Sequence, residues 1–255
     1  MNYLDFGQSL VESGDLDPLY IVLSESEIAQ DRTTLARWLF GYWCFYHAGV
    51  ATRLAEQPNY WEGFRRAIKS APRGRERRHF RGNLATNAVT FFEEHWEEPE
   101  HLVEELLSGD LSWAAVSKRV QKLPAFGPWM AFKVADMAER VMGDPVDFSG
   151  CELELYAEPV KGAKIVACDF WGWPSFDNRT QMRGLVDRLL DEFGSLDAPP
   201  DLARKVNVQE VETILCKFKG HHLGRYPVGH DIKALISDLE RTDQNLYAIA
   251  RGIWG

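Results

Sequence analysis

Cysteine is scarce in this chain. Four occur in 255 residues, Cys44, Cys151, Cys168 and Cys216, and none forms a CxxC pair. That spacing excludes the usual zinc knuckle and the cysteine-ligated iron–sulfur cluster, and leaves four free thiols in a reducing compartment. No apolar run approaches the ~18–20 residues of a membrane helix. The opening residues, MNYLDFGQSL, lack the basic and apolar parts of a secretory leader. A cytoplasmic protein with no membrane partner is therefore expected. No HExxH or HxH occurs, and the adjacent His221 and His222 would rarely share one metal. No metal site is expected, and a metal-dependent phosphohydrolase fits poorly. A Walker A motif is missing too, so the chain carries no kinase domain. Regularly alternating strands, which an α/β fold needs, are also absent.

Positive charge is in short supply as well: 29 Lys and Arg face 38 Asp and Glu, a net charge of −9. Taken alone, this argues against nucleic acid, because phosphate binding needs cations. The distribution argues otherwise. Residues 65–81 read RRAIKSAPRGRERRHFR with only Glu76 acidic, and residues 217–230 read KFKGHHLGRYPVGH with no carboxylate. Acid gathers elsewhere, in EEHWEEPEHLVEE at 93–105. Such segregation suits a cationic cleft on an acidic body; the plainer reading is solvated helix faces and a loop.

Helical periodicity dominates what is present. Ser24 with Glu27 reads as a capping box before a stretch from Ile28 to Glu56. That stretch carries Trp38, Phe40, Tyr42, Trp43, Phe45 and Tyr46, too many aromatics for one face. It is read as a buried central helix broken at Gly41 or Gly49. Further helices are expected between Pro58 and Pro72, over Asn83–Trp96, from Pro99 to Leu107, and from a cap at Asp110 or Ser112 through Leu123. Three more are expected at Thr180–Phe193, Val208–Lys219 and Asp231–Glu240, with Asp231 as a helix cap. Residues 73–82 read as a basic loop. One β segment is expected, Ala163–Phe170. The fold class is thus all-α, or mainly α, in a single domain over 1–255, with a helical hairpin at 111–147 and a basic loop at 217–231.

The most specific feature is LPAFGPWMAFKVADMAER followed by VMGDPVDF. A helix ends near Leu123. A tight turn runs from Pro124 to Pro128, with Gly127 free to take a conformation other residues avoid. A second helix starts at Pro128, with Met130, Val134, Met137 or Ala138, and Val141 at helical spacing. Open N–H groups at that start can hold a phosphate, reading the DNA backbone and not its sequence.

These residues resemble the helix-hairpin-helix of the DNA glycosylase superfamily, whose hairpin reads LPGxG; here Ala125 replaces the first glycine. The resemblance implies a two-lobed helical fold, DNA contact through Ala125, Gly127 and Trp129, and a catalytic aspartate that would be Asp147. A lyase lysine would fall at position 129, where Trp129 cannot form a Schiff base. Three further segments, WLFGYWCFYHAGVATRLAE (38–56), PRGRERRHFRG (72–82) and ETILCKFKGHHLGRYPVGHDI (212–232), resemble a phage family of DNA hypermodification. These are the amino acid:DNA transferases, or α-glutamyl/putrescinyl thymine pyrophosphorylases.

That resemblance implies a transferase acting on double-stranded DNA. It would replace the pyrophosphate of 5-(pyrophosphoryloxymethyl)uracil with an amine such as glycine, the amino acid co-substrate. No cofactor is implied with certainty, and Mg2+ is left open. A polyanionic leaving group wants fixed cations. Arg75, Arg77, Arg78, His79 and Arg81 form one candidate cluster; Lys217, Lys219, His221, Arg225, Tyr226 and His230 form the second. Asp147 would accept a proton from the attacking ammonium or hold it by charge. Tyr42, Trp43, Tyr46 and His47 would line a pocket for an everted base, the plainer reading being helix core. Two alternatives stay open: a monofunctional glycosylase, with Asp147 stabilising a cationic sugar, and a non-enzymatic DNA-binding module. The sequence sets no oligomeric state.

Overall fold

Apolar residues recur every three or four positions along most of the chain, and a computed structural model of the protein turns that spacing into helices. It describes every residue except Glu152, Glu154, Leu155 and Ala203. Among the described residues no strands pair into a sheet; the only β features are isolated bridges, Ser112 with Asp147 and Asp197 with Lys205. The all-α expectation holds. No described helix is long and apolar enough to cross a membrane. Two compact units emerge, Met1–Ile21 with Gly150–Leu235, and Val22–Ser149 with Ile236–Gly255. The division falls inside helices α2 (Pro18–Ser24) and α14 (His230–Thr242).

In the second of these units the aromatic stretch is three helices: α3 (Glu27–Gln30), α4 (Arg32–Phe45) and α5 (Ala48–Ala55). Ser24 ends α2 and Ser26 precedes α3; α4 is capped by Asp31, which accepts from Thr34 N at 2.8 Å. The break lies at Tyr46 and His47, not at either glycine. Tyr46 closes α4 at φ 51° and His47 caps α5. The glycines serve packing: a Cβ on Gly41 would lie 3.3 Å from Ala51 Cα, and one on Gly49 2.6 Å from Thr242. α4 is buried nearly all round, as its aromatic density requires. Four helices follow: α6 (Tyr60–Ser70), α7 (Gly82–His95), α8 (Pro99–Leu106) and α9 (Trp113–Val120). Of the two caps considered for α9, Ser112 serves, while Asp110 accepts from Ser112 N.

α9 and α10 (Pro128–Arg140) form the hairpin, with proline at the first position of α10. Its turn corrects one expectation. Gly127 has φ −101°, an ordinary extended value, whereas Ala125 sits at φ 66°. The left-handed residue is the alanine standing where the glycosylase hairpin has glycine. A left-handed L-residue costs roughly 1–2 kcal/mol, partly offset by the extra unfolded-state freedom of glycine. Ala125→Gly should raise stability by up to about 1 kcal/mol in urea denaturation. α10 also buries a ladder of charge: Asp136 lies 3.0 Å from Lys133 and 3.4 Å from Arg140. Pairing at i, i+3 and i, i+4 makes such burial tolerable.

The other unit is built on α1 (Tyr3–Ser13), α11 (Ala157–Ile165), α12 (Asn178–Phe193) and α13 (Val208–His222). The β expectation for Ala163–Phe170 is wrong: α11 runs into a π-helical turn, Val166–Phe170. Pro159, Gly162, Ala163, Val166 and Ala167 are its buried face, a helical period masked by a short apolar run. Gly162 packs directly on the carbonyl of Leu215 in α13. Gly162→Ala should cost about 1–3 kcal/mol by overpacking, read as a lower midpoint on thermal unfolding. Neither α1 nor the last helix, α15 (Gln244–Trp254), is anticipated by the sequence reading.

Candidate nucleic-acid interface

The basic loop after α6 divides its cations between two tasks. Arg73 and Arg77 turn inward and build the loop. Arg73 donates to the carbonyls of Phe80, Ala71 and Ile68 at 2.5–2.8 Å. Arg77 is only 8% exposed. It donates from Nε to Cys44 O at 3.2 Å and from Nη1 to Ala125 O at 2.9 Å, and lies over the rings of Phe80 and Phe126. Its Nη2 is buried without a hydrogen-bond partner among the described residues. Arg77 is a bracket joining the end of α4, the loop and the hairpin turn, and burial lowers its pKa.

Arg75, Arg78, His79 and Arg81 turn outward. All four are exposed, and among the described residues none pairs with a carboxylate. Gly74 seats the loop on the α4–α5 corner: its N–H donates to Phe45 O at 2.9 Å, and any side chain there would collide with Tyr46 O. Lys118 and Lys122, exposed just before the turn, add charge that the sequence reading passed over, although VSKRVQK announces it. Gly127 offers α10 no side-chain cap, so the helix opens at an exposed Gly127 and Pro128. A helix start of this kind suits an anion.

The aromatic candidates separate. Trp43 is 0% exposed and belongs to the core. Tyr42 is buried, which pushes its phenol pKa well up. Tyr46 is half-buried, 4.7 Å from the Tyr42 ring and 5.3 Å from that of Trp129, the second residue of α10. The pair Tyr46–Trp129 thus puts aromatic surface beside the hairpin turn. His47 works as a cap, its Nδ1 accepting from Val50 N, with Nε2 3.9 Å from Asp238. Burial lowers its pKa against the opposing pull of Asp238.

Asp147 lies at the other end of α9 from the turn, about 12 Å away by helical rise. Its backbone pairs with the start of that helix, donating to Leu111 O at 3.0 Å and accepting from Trp113 N at 2.7 Å. The carboxylate is exposed and accepts from Ser149 N at 2.8 Å and Ser149 Oγ at 2.7 Å, which lowers its pKa. A carboxylate so held is a fixed charge and a poor proton acceptor. Because the folded pKa is depressed, its contribution is complete above the ordinary Asp range and fades only as pH falls through the folded value. Asp147→Asn should therefore leave the shape of the pH–rate profile unchanged above about pH 5. Loss of an ascending acidic limb in that range would restore the general-base role.

The second basic run is mostly spent inside its own unit, around a residue the sequence reading missed. Asp15 is 0% exposed. Its carboxylate accepts from Gly229 N at 2.8 Å and Ile232 N at 2.9 Å, capping the start of α14 from a distant point in the chain. The cap is not Asp231, which pairs with Lys217 at 2.8 Å. Lys217 Nζ also donates to Asp15 O and Leu16 O at 2.5 Å each. Lys219 pairs with Glu158. His221 stacks on Phe6 at 4.2 Å and bonds Tyr226 O at 2.9 Å. The Tyr226 hydroxyl reaches Asp15 at 3.4 Å, and burial pushes its pKa far up. Arg225 and His230 are exposed. Lys217 and Lys219 are thus each paired with a carboxylate of their own unit.

One unit therefore joins exposed cations, an uncapped helix start and an aromatic pair. The model of the family described as amino acid:DNA transferase matches residues 11–225. The chain belongs to this family. A glycinyltransferase of Pseudomonas phage PaMx11 is 36% identical to it, over 89% of this chain and 86% of the relative. A putrescinyltransferase of Delftia phage PhiW-14 is 28% identical, over 90% and 76%. As an amino acid:DNA transferase, the protein is an enzyme, and the hypermodification resemblance read from its three segments is correct.

Proposed function

We propose that this transferase joins an amine, glycine in the first instance, to a pyrophosphate-activated thymine-derived base in double-stranded DNA. The glycinyltransferase similarity supports the amine. The observation that carries the reading is the Arg77 bracket, which ties the loop bearing Arg75, Arg78, His79 and Arg81 to the hairpin turn at Ala125. In the reaction the amine lone pair attacks the 5-methylene carbon. A C–N bond forms, the C–O bond to pyrophosphate breaks, and the ammonium product sheds one proton. The bond electrons leave on the pyrophosphate oxygen, so polyanionic charge grows on the leaving group. Arginines carried on that loop stabilise this charge more in the transition state than before it. Tyr46 and Trp129 supply a stacking surface for an everted base, and the helix start at Gly127 holds the strand.

The test is product mass. DNA carrying 5-(pyrophosphoryloxymethyl)uracil is incubated with the protein and 15N-glycine, with and without Mg2+, then digested to nucleosides. The expected product is a 15N-labelled 5-methylene adduct formed in step with free pyrophosphate. An abasic site with no labelled nucleoside would favour glycosylase chemistry and overturn the proposal.

A further inference from the structure

A second site lies in the same unit, away from the basic loop. A groove of about 520 Å3 is walled by the start of α4, the end of α5 and the first turns of α15. Its size is that of a small-molecule site. Three carboxylates line it, Glu27, Glu56 and Asp243, with no lysine or arginine among the lining residues, and Ile28, Leu246 and Ile249 supply apolar surface. Asp243 separates this groove from a plain acidic patch. It is 8% exposed. Its Oδ1 caps α15 by accepting from Leu246 N at 3.0 Å, while Oδ2 has no hydrogen-bond partner among the described residues. A buried carboxylate oxygen left unpaired is costly, and a cation bearing N–H donors relieves it. The groove is not the reacting site: Thr34 lines it near the start of α4, whereas Tyr46 follows the end of that helix, about 18 Å away by helical rise.

We propose that this groove binds a small alkylammonium ion, its charge against Asp243 and its chain along Ile28, Leu246 and Ile249. An inorganic cation would satisfy the carboxylates but leave the apolar wall unused; a neutral alcohol would do the reverse. The proposal stands apart from the transfer chemistry, since it needs no DNA.

The test uses the full chain and n-butylammonium chloride, with potassium chloride and 1-butanol at matched ionic strength, by calorimetry and thermal shift. One equivalent of butylammonium should bind, and neither control should stabilise the protein comparably. Asp243→Asn keeps a competent helix cap and should weaken butylammonium at least tenfold. Glu27→Gln with Glu56→Gln, both at exposed positions, should weaken it several-fold with the melting temperature of the free protein unchanged. Equal stabilisation by potassium would overturn the organic-cation assignment. Affinity unchanged in both variants would overturn the site. Turnover on activated DNA, measured in parallel, should be retained in both variants, so a failure here is distinct from a failure of the transferase reading.

Discussion

Changing Arg75, Arg78 and Arg81 together to glutamine is expected to weaken DNA binding about 10²–10³-fold at physiological salt, with the melting temperature unchanged. All three are exposed and, among the described residues, none is paired with a carboxylate, so folding does not depend on their charge. Each lost phosphate contact, at about 1–1.4 kcal/mol, is worth up to a factor of ten. The salt dependence is the sharper measurement. A contact with duplex phosphate contributes about −0.9 to the slope of log K against log salt, so the triple variant should flatten that slope by about 2.7. Lys217→Gln serves as the contrast. Its ammonium is held by Asp15 O, Leu16 O and Asp231, so the variant should lose stability and keep the slope. A triple variant with the wild-type slope would move the DNA contact elsewhere on the protein.

The same contrast shows what could be read from residues alone. The pattern RGRERRHFR declares a cationic segment but not which cations are available. That depends on whether a carbonyl or an aromatic ring from another helix faces each one, and Arg73 and Arg77 meet such partners while Arg75 and Arg81 do not. Local signals served where the physics is local. Proline at the start of α8 and α10, the Ser112 cap and the apolar period of α6 were all legible. Signals failed where the partner is distant in sequence. Asp15 caps a helix more than 200 residues downstream, and nothing in SGDLDP foretells it. The segment 163–170 failed for another reason: its β-branched run is short, and the helical period shows only when Pro159 and Gly162 are counted. The turn sequence points to Gly127 as the strained position, whereas the chain places the strain at Ala125.

Arg77→Met should cost about 3–4 kcal/mol of stability. Methionine fills similar volume but leaves the carbonyls of Cys44 and Ala125 without their donor. Hydrogen bonds from a charged group are worth about 1.5–3 kcal/mol each, and the position over Phe80 and Phe126 adds roughly 0.5–1. Relaxation toward solvent recovers part of this total. Arg77→Lys should be nearly as damaging, because one ammonium cannot reproduce the planar fork that spans two carbonyls. Urea denaturation gives the free energy. Function gives the discriminating readout. At a temperature where Arg77→Met remains folded, the loop and the turn are no longer tied. DNA affinity should then fall about tenfold beyond what the folded fraction explains. An affinity that tracks the folded fraction alone would make Arg77 a stabilising residue with no part in positioning the interface.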